Sequence, residues 1–269
     1  MSAKSEHENY REIAAFDFHH GGCVRFKKCD SAKGDSTVIN ETKQLAYGKL
    51  VDARKRCDRC KSLGLKNPAD VRDRQFDANE VGPWTRWNGD LNARILVVGQ
   101  EWGDVSSFEK QGGLDNAKSK TNEVLVELLS SVGIVIQSAP IGGSNTGVFL
   151  TNATLCLKGG GAQAKVDRQW FRNCATPFLH EQITLVQPRV VVTLGEQAYL
   201  GVRHAFDLPK VSFRRAVRRH EPIPLINDTQ LIPVYHCSKR VLNKARLLPQ
   251  QLQDRRLVKA VLDDTYAAA

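Results

Sequence analysis

The sequence predicts an α/β fold: a single-domain α/β/α sandwich around a central, mostly parallel four-stranded sheet. Three observations carry that expectation. Four short runs are apolar without alternation, as strands buried on both faces are. Stretches with apolar residues at helical spacing lie between them, the order that builds a parallel sheet covered by helices. The 269 residues, 41% apolar and 25% charged, have the balance of an ordinary globular chain long enough to bury a sizeable core.

Residues 1–40 are polar and irregular, and are expected to form an N-terminal extension ahead of a domain at 41–269. From Glu41 to about Arg56, Leu45, Leu50 and Val51 recur near helical spacing, so a helix should run into Cys57-Asp-Arg-Cys60. Residues 61–93 read as loop and turn, with Pro68, Pro83 and the pair Trp84 and Trp87. Ile95-Leu-Val-Val98 is the first strand, ending at Gly99. Val124, Leu125, Leu128, Leu129 and Val132 mark one face of a helix that Gly133 closes. Val148-Phe-Leu150 opens the second strand, and Trp170–Val186 reads as a helix. Arg189–Leu194 is the third strand, stopped by Gly195, and Leu231–Tyr235 is the fourth.

Charge and cysteine usage narrow the function. Lys and Arg number 39 against 29 Asp and Glu, a net +10, which concentrates polyanions around the molecule and points to nucleic acid. The surplus crowds Arg54–Arg59, Arg214–Arg219 and Lys239–Arg246. No apolar run approaches the roughly 18 residues of a membrane span. The N-terminus lacks the basic-then-apolar layout of a signal peptide, so a cytoplasmic protein is expected. Seven cysteines are odd in number for a disulfide framework. Cys57 and Cys60 form a Cys-x2-Cys knuckle with Cys156 and Cys174 as downstream partners, whereas Cys23 and Cys29 read as free.

In parallel sheets chemistry collects beyond the carboxyl ends of the strands. There stand Gly99-Gln-Glu-Trp-Gly-Asp104, Asn152 after Phe149-Leu-Thr, Gly195, and His236-Cys-Ser238 trailed by Lys239, Arg240, Lys244 and Arg246. A glycine after a buried strand lets the backbone turn close to a ligand. An asparagine offers both donor and acceptor, suited to the amide edge of a nucleobase. A histidine there can donate to a developing anion. Gly-x-Gly-x-x-Gly, a phosphate loop and Gly-x-Ser-x-Gly are all absent, which removes support for dinucleotide binding, phosphoryl transfer and serine hydrolysis.

These pieces, in this order from about Cys57 to Val258, resemble the uracil-DNA glycosylase superfamily, and most closely its iron–sulfur family 4. Gly99–Asp104 is similar to the first motif, written GQDPYH in family 1 and GEAPG in family 4. Phe149–Ala153 is similar to the strand whose Asn reads uracil, and His236-Cys-Ser238 to the HPS motif opening the DNA-intercalating loop. The four cysteines fall where family 4 holds its cluster. The resemblance implies a monofunctional DNA-repair hydrolase that flips uracil out of single- or double-stranded DNA and hydrolyses its N-glycosidic bond, leaving an abasic site. It implies Glu101 or Asp104 as the water-handling carboxylate, and His236 with the backbone of the Gln100 loop as stabilisers of the uracil anion. Asn152 reads the base, and Phe108 is the candidate for stacking on it. From Ser238 onward, Lys239, Lys244 and Arg246 contact phosphates, while Arg240, Val241 or Leu242 fills the vacated space. Cys57, Cys60, Cys156 and Cys174 bind a structural 4Fe–4S cluster, with Zn as the lesser fit. A monomer is expected, with no membrane partner.

Departures from the pattern leave two other readings open. Gln100 stands where family 4 has Glu, Trp102 replaces the usual Pro, and Leu157-Lys-Gly-Gly-Gly161 replaces an Arg-Pro-Pro stretch. They leave room for a glycosylase acting on hypoxanthine or xanthine, or for a non-catalytic protein that binds uracil or damaged DNA.

Overall fold

Each continuously apolar run becomes a strand whose side chains alternate between two cores. The computed structural model describes residues 41–82, 89–114, 119–135, 147–161 and 164–264, and the helical backbone of 32–40. Cys23, Cys29, Pro83, Trp84 and Trp87 lie outside the described residues.

In chain order, helix α1 (Ala32–Lys55) leads through three single 3-10 turns and strand β1 (Leu65–Lys66) to β2 (Ile95–Gly99). Helices α2 (Val105–Lys110) and α3 (Lys120–Ser130) precede β3 (Val148–Asn152) and β4 (Leu157–Lys158). Then come α4 (Arg168–Cys174), α5 (Glu181–Val186), β5 (Val190–Leu194), α6 (Glu196–Ala205) and α7 (Phe213–Arg219). Strands β6 (Ile223–Pro224) and β7 (Gln230–Val234) and helices α8 (Lys239–Leu242) and α9 (Leu248–Leu262) finish the fold. The main sheet has five strands in the order β3-β2-β5-β7-β6. The first four are parallel and correspond to the four runs read from sequence, whereas β6 pairs antiparallel at the edge. β1 and β4 form a separate antiparallel ribbon.

Alternation explains why the runs lack a polar face. Leu96, Val98, Phe149, Val191 and Leu231 point into one core with residues of α1 and α4 to α7. Ile95, Val97, Val148, Val192 and Ile232 point into the other with α3 and α9. Both faces are covered, so both registers of each strand must be apolar. Pro233 is tolerated because residues 230, 232 and 234 turn their N–H groups toward β5, and β6 ends opposite Leu231.

Three sequence expectations change. The sheet gains the edge strand β6, two residues too short to leave a periodic signal. The first helix starts at Ala32, inside the segment expected to be irregular. The helix expected over Trp170–Val186 is interrupted by a π-helical stretch, Ala175–His180, around Pro177. Proline has no N–H to give and its ring crowds the preceding turn, so the backbone widens there.

Candidate active site

The carboxyl ends of β3, β2, β5 and β7 lie side by side, and each brings one element of the site. Gly99 pairs in register with Asn152. The pairing continues past the strands, with Ala153 N–H donating to Gly99 O (2.9 Å) and Thr154 N–H to Gln100 O (3.1 Å). Asn152 is 1% exposed, yet neither its Oδ1 nor its Nδ2 has a hydrogen-bond partner. Leaving such a group unpaired costs about 1–3 kcal/mol, so a buried amide in this state points to a ligand edge that completes it. Its position depends on Gly99: a Cβ there would lie 2.3 Å from Asn152 Oδ1.

Beyond Gly99 the chain carries Glu101, whose Oε1 meets the Lys158 ammonium at 3.0 Å. The side chains are only 11% and 7% exposed. Lys158 is held there from β4, where its N–H donates to Gly103 O (2.9 Å). The second carboxylate oxygen, Oε2, is buried without a partner. The site thus holds one acceptor engaged by a cation and one left free.

From β7, His236 completes the row. Burial lowers its pKa, and Glu101 pulls it part of the way back, so the ring is neutral at neutral pH. Ser238 N–H donates to His236 Nδ1 (3.0 Å), which leaves the proton on Nε2 as the donor that can face a ligand. The carbonyl of His236 accepts from Gln251 Nε2 (3.2 Å) on α9, fixing the turn from behind. Gly195, at the end of β5 with φ +93°, brings its backbone against His236, where a Cβ would lie 3.4 Å from the histidine Cβ.

Comparison with known proteins decides the family. Residues 87–262 match the family model described as the uracil DNA glycosylase superfamily. The chain belongs to that superfamily. It is also 24% identical over 221 residues to a type-5 uracil-DNA glycosylase from Pyrobaculum aerophilum, across 77% of this chain and 89% of that protein.

Of the superfamily residues read from the sequence, Glu101 and His236 are close enough to interact electrostatically, Asn152 lies across the strand pairing from Gly99 at the start of the same loop, and Gln100 follows Gly99 with its side chain half-buried. Asp104 does something else. Its carboxylate caps α2, accepting from Ser107 N–H (3.0 Å) and Ser107 Oγ–H (2.9 Å). Burial opposes ionisation, but these bonds, Ser106 N–H and the charge of Lys158 hold it below the usual carboxylate range. Phe108 is 1% exposed and packs with Val71, Leu157, Phe76 and Trp102. The Trp102 ring meets it edge-on at 5.1 Å, so Phe108 presents no ring face to a base and instead anchors the motif loop.

The segment after His236 forms a short helix, α8, with Ser238 at its N-cap. Lys239, Arg240 and Lys244 are exposed, and Leu242 is half-buried against the second core. Arg246 is committed to protein: its guanidinium binds both oxygens of the buried Asp254, at 2.5 and 3.0 Å. Lys158 and Gln251 are the site residues that sequence reasoning missed. Lys158 sits two positions after Cys156 in a glycine-rich stretch, and only the strand bridge to Asp104 places it beside Glu101.

The four cysteines gather from four places: the end of α1, the turn after it, the β3–β4 connection and the end of α4. Burial raises the Cys60 and Cys156 thiols and pushes Cys174 up to about 12, and each thiol is close enough to the other three to interact electrostatically. Cys60 Sγ accepts from Asn173 Nδ2 (3.3 Å). Among the described residues no group of three or more Cys, His, Asp or Glu is arranged to hold a single metal ion. Four thiols near one another are a donor set that both an iron–sulfur cluster and a tetrahedral Zn take.

Proposed function

We propose that the protein is a DNA glycosylase that hydrolyses the N-glycosidic bond of uracil in DNA. The observation that carries this is the buried, unpaired amide of Asn152 beside Glu101 and the Nε2–H of a neutral His236. Asn152 Oδ1 accepts from uracil N3–H while Nδ2 donates to O4; cytosine reverses that pattern and leaves both groups unpaired. As the bond between N1 and C1′ breaks, its electron pair leaves with the base. His236 Nε2–H donates to uracil O2, where negative charge grows. Glu101 Oε2 faces the cationic sugar and takes a proton from the water whose oxygen bonds C1′. Lys158 is a positioning residue, holding Oε1 so that Oε2 is the oxygen offered. Asp104, already engaged at the helix cap, has no direct part. Exposed Lys239, Arg240 and Lys244 meet the DNA backbone.

The closeness to the iron–sulfur branch, and a 4Fe–4S cluster on Cys57, Cys60, Cys156 and Cys174, belong to the same proposal. The cluster would tie α1 and α4 to the sheet, a structural part with no step in the hydrolysis. One observation favours a second substrate reading. The Trp102 Nε1–H is buried without a partner at the motif loop, an extra donor that a purine such as hypoxanthine or xanthine would engage.

The test uses labelled oligonucleotides, each with a single uracil, hypoxanthine or xanthine, treated with enzyme and then alkali and resolved on a denaturing gel. Scission at uracil, abolished in His236→Ala or Glu101→Ala, is the expected result. Scission at a purine alone would transfer the assignment to that base, and an intact strand throughout would leave binding without chemistry.

A further inference from the structure

A basic groove shares Lys244 with the segment just assigned to the DNA backbone and is otherwise lined by residues not yet given a role. It has a volume of about 900 Å³ and runs between α7 and the segment 244–246. Its lining includes Arg214, Arg218, Lys244, Arg246 and Tyr235, and its one carboxylate is Asp254. That carboxylate is 3% exposed and neutralised by Arg246, so the surface left to solvent is cationic.

The helix that forms the wall is built for charge on the outside. Phe213, Ala216 and Val217 of α7 are buried, while Arg214, Arg215, Arg218 and Arg219 are exposed. Arg214 and Arg218 share one face at i and i+4, where like charges repel, and the Arg218 Nε–H donates to Arg214 O at 3.3 Å. Among the described residues neither these arginines nor Lys244 makes an ion pair. Concentrated, unneutralised cations around a groove call for a polyanion.

We propose that this groove is a second binding site, for the phosphodiester backbone of DNA, distinct from the base pocket at Asn152. Continuity with that pocket gives it this partner. Tyr235, in its wall, directly precedes His236, and Lys244 lies on the segment that leaves His236-Cys-Ser238. A strand with one nucleotide in the pocket would pass its neighbouring phosphates along Arg214 and Arg218. The polymer's identity rests on the glycosylase reading; the charge of the groove does not.

Binding of undamaged fluorescent duplex DNA, followed by anisotropy over a range of salt concentrations, reads the groove without any base excision. Arg214→Ala with Arg218→Ala is expected to reduce the slope of log affinity against log salt by about 2, at about 0.9 per phosphate. Arg215→Ala with Arg219→Ala removes the same charge from a neighbouring face that does not line the groove, and is expected to change the slope little. An unchanged slope in the first pair, as an acidic protein segment in the groove would give, overturns the proposal. So do equal falls in both pairs, which would mark a net-charge effect. If the slope falls while wild-type protein excises nothing, the groove stands and the glycosylase reading fails. If wild-type protein excises uracil while the slope stays unchanged, the glycosylase reading stands and the groove fails.

Discussion

Replacing Lys158 by Met removes the charge facing Glu101 while keeping most of the side-chain volume. At 3.0 Å the two charges attract by about 5.5 kcal/mol in an effective dielectric of about 20. Side-chain relaxation and entering water recover part of this, leaving a loss of about 2–3 kcal/mol in the placement of the carboxylate. Excision under single-turnover conditions should therefore slow by roughly 30- to 150-fold. Lys158→Arg should restore most of the rate because it keeps the cation. If Lys158 works through Glu101, a double variant with Lys158→Met and Glu101→Gln should be no slower than Glu101→Gln alone. Rates are compared below the melting temperature of the least stable variant, since breaking a buried ion pair also costs stability. A Lys158→Met enzyme as fast as wild type, or penalties that add in full, would show that Lys158 does not act through Glu101.

Other consequences follow from the same geometry. Gly99→Ala places a methyl group 2.3 Å from Asn152 Oδ1, so excision should drop by tenfold or more, on the order of 1.4 kcal/mol, while DNA affinity measured by anisotropy is retained. Because burial holds His236 below its usual value near 6.5, the unfolded chain takes up a proton there that the folded chain refuses; its contribution to stability is complete above about pH 6.5 and is lost as pH falls, as denaturant midpoints across pH would report. Protonation also sets Nδ1–H against Ser238 N–H, so excision should fall on the acid side of that range. Cys156→Ala should lose iron and sulfide, measured on protein purified without oxygen, and lower the melting temperature; full metal content in that variant would rule out a cluster on these cysteines.

What the sequence disclosed depended on how local the cause was. Ile95–Val98 and Val190–Val192 were readable because a strand buried on both faces is apolar in both registers, and α3 because its buried stripe and Gly133 are both local. β6 was not, since Ile223 and Pro224 form a strand only by pairing with β7. The start of α1 was hidden by Gly34, Asp35, Ser36 and Thr37, which have weak helix propensity. Asn152, Glu101 and His236 could be nominated from their places at strand ends. Asp104 shares that strand-end place, but in the fold it caps Val105–Lys110, a helix the sequence analysis did not anticipate. Lys158 reaches Glu101 only through a strand bridge, and Phe108 is removed from the base by packing with Phe76, which lies more than 30 positions away in sequence. Neither fact leaves a periodic trace.

Everything proposed for the site depends on the Asn152 amide recognising the base that the enzyme releases. The direct measurement is the rate of free uracil release from DNA at saturating enzyme, for wild type and Asn152→Ala. Wild type should release uracil, and the variant should be slower by about a hundredfold or more, with binding of undamaged DNA unchanged. No uracil from wild-type protein, or equal rates from the two, would mean that the amide does not serve that recognition.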